Sequence, residues 1–247
     1  MGHDHPHFAN PVVESATVED GRIVPESSYD ALADHVLGGD VVVLQDAFDA
    51  AELRALRDEI FEWGSENPAR DIDPGDATES FHRIDDNPTE THFPRLYHFY
   101  YFRGLSTGDP AAIDERVRPV FEKLRDLQNA VAGTDASLTD TGEGPHLRPQ
   151  AIHYPAGGGY FAMHRHDFLP QKVGLILSLS AQGEDFGHGG TRFATGDRLV
   201  DIEGDHDAGD IALFRYDLPH AVVPTDPTEE LRFDRAAGRW SMILPYY

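Results

Sequence analysis

The chain has 247 residues, with 44 acids against 20 basic residues, a formal net charge of −24 and no cysteine. Without thiols there is no disulfide, no thiolate nucleophile and no cysteine-held zinc or iron–sulfur cluster, so a metal here falls to histidine and carboxylate. The acid excess repels nucleic-acid phosphates and anionic membrane surfaces, which excludes both as expected partners.

The length suits one domain, residues 1–247, large enough to bury a sizeable core. No apolar run approaches the roughly 18 residues of a membrane span, and Met1-Gly2-His3-Asp4-His5-Pro6-His7 lacks the basic and apolar blocks of a secretory signal. The expectation is a soluble, cytoplasmic, acidic protein. Of the basic residues only Lys123 and Lys172 are lysines. That balance suits a salt-rich cytoplasm, where ionic strength screens self-repulsion, and equally a GC-rich genome.

In chain order, His3, His5 and His7 form a short tract that is either a metal scavenger or a solvated terminus. Asp40–Leu44 is an apolar run of strand length, and Asp49–Trp63 carries Ala50, Leu53, Leu56, Ile60 and Trp63 at helical spacing. Pro68–Pro94, rich in Asp, Pro, Thr and Asn, reads as a long loop that could lie over a pocket. Ala111–Ala132 is amphipathic and stops at Gly133, and Thr134–Pro145 is a polar linker. Residues 1–148 therefore read as helical and strand support.

From Pro149 onward, short β-prone segments recur between turn signals: Gln150–Tyr154, Tyr160–His166, Val173–Ser180, Thr191–Ala194, Leu199–Ile202, Asp210–Tyr216, His220–Val223 and Arg239–Leu244. Eight short strands suit a β-barrel or a two-sheet jelly roll, which hides edges that an open sheet exposes. The expected fold is mainly β with flanking helices, the core spanning 149–247.

Within the second of these segments His164 and His166 are two residues apart, so an extended chain projects both imidazoles from one face and Arg165 and Asp167 from the other. With His220 from the seventh segment they would form one metal-binding face. Strand parity favours His166 as the third ligand. The frequency of two-histidine, one-carboxylate iron sites favours Asp167, and both stay open. Arg239 lies in an apolar strand, where a buried guanidinium needs an anion and matches a carboxylate bidentately; Ser241 shares its face. A structural ion pair is the alternative. Tyr154 could bond a bound ligand or plug the barrel, and His153 has the opposite parity. Arg192, after Gly189-Gly190-Thr191, could meet an acidic substrate or form an exposed ion pair.

On His164, His220, Arg239 and Ser241 the sequence resembles the 2-oxoglutarate/Fe(II)-dependent dioxygenases. The resemblance covers about Pro149–Tyr247. It implies a double-stranded β-helix core, cupin-like, with His164 and His220 as iron ligands and Arg239 with Ser241 holding the far carboxylate of 2-oxoglutarate. It further implies O2 as co-substrate and a small-molecule substrate. The chain departs from the family's His-X-Asp at His166. Either iron has three neutral ligands, or Asp167 enters through a bulge. Two further readings are a three-histidine cupin dioxygenase or isomerase that does not use 2-oxoglutarate, and a non-catalytic barrel that binds a small acid.

Overall fold

The computed structural model describes residues 10–89, 93–142 and 144–246, so the His3, His5 and His7 tract lies outside the described residues. The first half contributes strands β1 (Val12–Glu19), β2 (Arg22–Pro25), β3 (Val42–Gln45), β4 (Phe81–Asn87) and β5 (Arg95–Tyr101). Between them lie helices α1 (Tyr29–Gly38), α2 (Ala50–Glu66), α3 (Arg103–Thr107) and α4 (Ala112–Ala132). The second half is all strand: β6 (Gln150–Pro155), β7 (Gly159–His164), β8 (Val173–Ser178), β9 (Gly190–Thr195), β10 (Arg198–Asp201), β11 (Ile211–Arg215), β12 (His220–Thr225) and β13 (Gly238–Ile243). All eight strands expected after Pro149 are present. No helix among the described residues is long and apolar enough to cross a membrane.

Local chemistry sets the helix ends. Ser28 and Asp49 accept from the backbone N–H of Ala31 and Glu52 at the starts of α1 and α2. Gly39 and Gly133 supply the left-handed residue that closes α1 and α4.

The strands form one sheet in the order β10-β9-β12-β7-β5-β6-β13-β8-β11-β3-β1-β2, with β4 paired to β5. Strands from the first half therefore extend the ladder of the second. β3 pairs with β11, and β5 pairs with both β6 and β7. Alternation along β13 divides its side chains. Trp240 and Met242 enter the large apolar core with α1, α2 and α4, while Arg239, Ser241 and Ile243 line a cavity on the other side.

Two strand pairs, β1 with β2 and β4 with β5, and two helices, α1 and α3, depart from the sequence expectation. Of these, β4 lies inside the stretch expected to be loop. The sequence Phe81-His82-Arg83-Ile84-Asp85-Asp86-Asn87 hides a strand because its charges are compensated locally: Asp85 pairs with Arg83 at 3.0 Å and with Arg95 at 3.4 Å. Residues 68–80 keep the irregular backbone expected of that stretch.

Leu177 is fully buried, paired with Ile211 and Met242 in the core beneath α4. Leu177→Ala is expected to lower unfolding stability by about 2–5 kcal/mol, read as a lower denaturation midpoint at unchanged slope.

Candidate metal centre and anion pocket

His164 is the last residue of β7 and His220 the first of β12, and the antiparallel register sets them directly opposite one another. Their ring centroids are 4.3 Å apart. His166 reaches the same place from beyond the end of β7, its ring 4.9 Å from His164 and 5.5 Å from His220. One ligand atom from each of the three lies within 4.8 Å of the others. The strand-parity argument is thus corrected in its cause: β7 stops at His164, and His166 is aimed by stacking on Tyr216, centroids 4.3 Å apart and planes 8° from parallel. Asp167 is exposed and does not join the group.

The ring nitrogens are sorted by their partners. Nδ1–H of His164 donates to the Ala162 carbonyl at 2.8 Å, and Nδ1–H of His220 donates to the Leu218 carbonyl at 2.9 Å. Each bond fixes the tautomer that leaves an Nε2 lone pair free. The buried Nε2 of His164 has no hydrogen-bond partner. Burial, helped by the neighbouring imidazole of His164, pushes His166 down to about 4 and His220 well below the ordinary histidine value. Burial also lowers His164. At neutral pH all three rings are neutral, the form that binds metal. The donor set fits a metal ion.

These histidines open into a cavity of about 190 Å³ whose wall includes Tyr97, Tyr154, Phe161, Tyr216, Thr191, Arg239 and Ser241. Arg239 is completely buried. It donates from Nε at 2.9 Å to Oε1 of Glu203, and Nη2 lies 2.8 Å from the same oxygen. Nη2 also donates to Thr191 Oγ1 at 2.7 Å. Nη1 is buried and has no partner. A guanidinium edge inside a cavity with no acceptor supplied by the protein suits an anionic ligand. Tyr154 packs its ring 5.9 Å from the guanidinium carbon, while His153 on the opposite face stacks on Trp240.

The structural ion pair expected as the alternative is present: Arg239 has Glu203 as its internal acid, and its Nη1 has no protein partner. Arg192 forks onto Asp201 at 2.8 and 3.0 Å and is not part of the cavity wall. Glu203 and Thr191 were not singled out from sequence. A lone Glu beside an Asp/Gly loop, in so acidic a chain, carries no signal. The nearest clue is Gly190, whose φ of +115° and closeness to Glu203 leave no space for a side chain.

No protein-family model and no curated protein matches the chain by sequence. Solved structures do match. A prolyl-4-hydroxylase from Pseudomonas putida superposes with a TM-score of 0.55 at 18% identity, over 87% of this chain and 97% of the other. The Trichoplax adhaerens prolyl hydroxylase, in complex with a hypoxia inducible factor oxygen degradation domain peptide, gives 0.56 at 14% identity over 89% and 90%. The non-heme, alpha-ketoglutarate-dependent epimerase SnoN from nogalamycin biosynthesis gives 0.55 at 14% over 89% and 82%. The chain has the double-stranded β-helix fold of the 2-oxoglutarate/Fe(II) oxygenases.

A Cβ at position 190 would fall 1.9 Å from Cγ of Glu203. Gly190→Ala is expected to destabilise the protein by about 2 kcal/mol or more through clash and backbone strain together, measured as a lower thermal midpoint.

Proposed function

We propose that the protein is an Fe(II)- and 2-oxoglutarate-dependent oxygenase that oxidises a small-molecule metabolite with release of succinate and CO2. One observation carries the reading: neutral imidazoles and a guanidinium with an unpartnered nitrogen line one cavity. His164, His166 and His220 would hold the iron. Arg239 and Ser241 would receive the far carboxylate of 2-oxoglutarate, with Tyr154 against it. The three structural neighbours named above, two hydroxylases and an epimerase, support the same assignment through their fold.

Bound iron and keto acid would supply O2 activation coupled to oxidative decarboxylation. The chain's own residues orient and exclude. The carbonyls of Ala162 and Leu218 fix the ring orientations of His164 and His220 through their Nδ1 hydrogens. Phe161, stacked on His164 with centroids 3.9 Å apart, and Tyr216 on His166 keep water from the imidazole faces. With three neutral ligands and no carboxylate, the iron site is more positive by one charge than a two-histidine, one-carboxylate site. This favours an anionic co-substrate. The half-buried position of His166 leaves it the most accessible of the three.

A second reading, a three-histidine dioxygenase without 2-oxoglutarate, draws on the Glu203 partner of Arg239, since that cation needs no ligand for charge balance. The two readings separate in one experiment. Fe(II) followed by 2-oxoglutarate without oxygen is expected to give a metal-to-ligand charge-transfer band, and O2 then to release succinate. Folded, iron-loaded protein without that band would overturn the reading.

Two sets of variants follow. His164→Ala and His220→Ala are expected to abolish stoichiometric Fe(II) binding and His166→Ala to weaken it at least tenfold, about 1.4 kcal/mol, while Asp167→Ala leaves it unchanged in anaerobic calorimetry. Arg239→Ala is expected to retain iron and raise the dissociation constant for 2-oxoglutarate by roughly thirtyfold or more, the scale of a lost charge-assisted hydrogen bond.

A further inference from the structure

Arg239 and Glu203 are both buried, at 0% and 4% exposure. Glu203 is not part of the cavity wall, so it lies behind the guanidinium and touches a cavity ligand only through it. A single oxygen, Oε1, gathers Nε and Nη2 of Arg239 and the backbone N–H of Thr191 at 2.7 Å. That grip turns the third nitrogen, Nη1, to the side where no protein acceptor exists. The Thr191 hydroxyl, which accepts from Nη2, has its own hydrogen in no described hydrogen bond, and the same holds for Ser241. Both hydroxyls line the cavity. The anion pocket thus offers one guanidinium edge and two hydroxyl donors, while its charge is already balanced from behind.

We propose that Glu203 is the resident counter-ion of this pocket: it stands in for a ligand carboxylate against Arg239 in the ligand-free protein, and so sets how tightly a dicarboxylate binds. The proposal rests on the reading of the cavity as a dicarboxylate site.

The physical argument is a competition. A buried guanidinium without an acid is costly, and a pair inside the protein removes that cost. The same pair weakens the pocket's attraction for an incoming carboxylate, because the two acids repel one another across one cation. Burial by itself would raise the Glu203 carboxyl, but Arg239, aided by His206 and the Thr191 N–H, outweighs it and holds Glu203 below the usual carboxylate range. The acid therefore competes in its charged form. Gly190 is what admits it, since any Cβ there would occupy the space of the Glu203 side chain.

Glu203 acts through Arg239 and is a positioning residue, so the test needs a readout that packing alone would not move. Titrating 2-oxoglutarate into Fe(II)-loaded protein without oxygen gives the dissociation constant, and thermal unfolding with and without glutarate gives the second readout. Glu203→Gln keeps an oxygen acceptor for Nε and the Thr191 N–H but removes the charge. It is expected to unfold at a lower temperature than the wild type when ligand-free, to bind 2-oxoglutarate about tenfold or more tightly, and to gain more stability from glutarate. The double variant Glu203→Gln, Arg239→Gln removes both charges. It is expected to recover thermal stability relative to the single variant and to lose the response to glutarate.

Equal or weaker 2-oxoglutarate binding by Glu203→Gln, with wild-type binding intact, would overturn the counter-ion role alone. So would a double variant as unstable as the single one, since Glu203 would then act only by packing. If the single variant does not fold unaided, recovery in glutarate but not in sodium chloride of equal ionic strength supports the proposal, and no recovery overturns it. No response to either acid in any form of the protein would remove the dicarboxylate reading, and this inference with it.

Discussion

The antiparallel pairing of β7 with β12, which sets His220 opposite His164, is the constraint from which the rest of the site follows. Because side chains alternate across a strand, a slip of one residue would turn one imidazole of the pair to the far face and leave no converging group. The register is held on both sides, since β12 also pairs with β9, where His220 faces Phe193. His166 and the aromatic rings around it then pack against a pair whose place is already fixed. Histidines 56 residues apart in sequence become a single donor set without any long side chain having to search for its partner.

Electrostatics divides the cavity into two unlike ends. At one, burial keeps imidazoles neutral and their lone pairs available. At the other, a buried guanidinium is paired with an acid behind it. Neither end carries a large net charge by itself, which is how an apolar, aromatic-walled barrel tolerates them in a chain whose surface is strongly acidic.

The second half of the molecule was legible in the sequence because its strands alternate with glycine and aspartate turns, and because the two-residue spacing of His164 and His166 and the apolar setting of Arg239 mark those residues out. What escaped reading is what depends on partners distant in sequence. β4 carries Arg83, Asp85 and Asp86, residues disfavoured in strands, and becomes a strand because Arg95 across the hairpin neutralises Asp85. Glu203 is one acid among many until β9 and β13 bring Thr191 and Arg239 to it. His166 was read from strand parity, yet the chain leaves the strand two residues earlier, and stacking on Tyr216 brings the ring to the same place. The Pro68–Pro94 stretch lacked periodicity to the eye because its strand β4 exposes Ile84 and buries the paired Asp85, so its burial pattern does not follow hydrophobicity.

The N-terminal strands have one more effect. By laying β3 along β11, and β5 along β6 and β7, the first half of the chain occupies ladders that the second half would otherwise leave bare. The ends of the completed sheet are β10 and β2, each only four residues long, and the side branch β4 is studded with charge. Short and charged margins give a foreign strand little backbone to grip. The segment that supports the strand-rich second half thus also shields it from intermolecular β-pairing, so that trimming it away would expose sticky backbone as well as weaken the core.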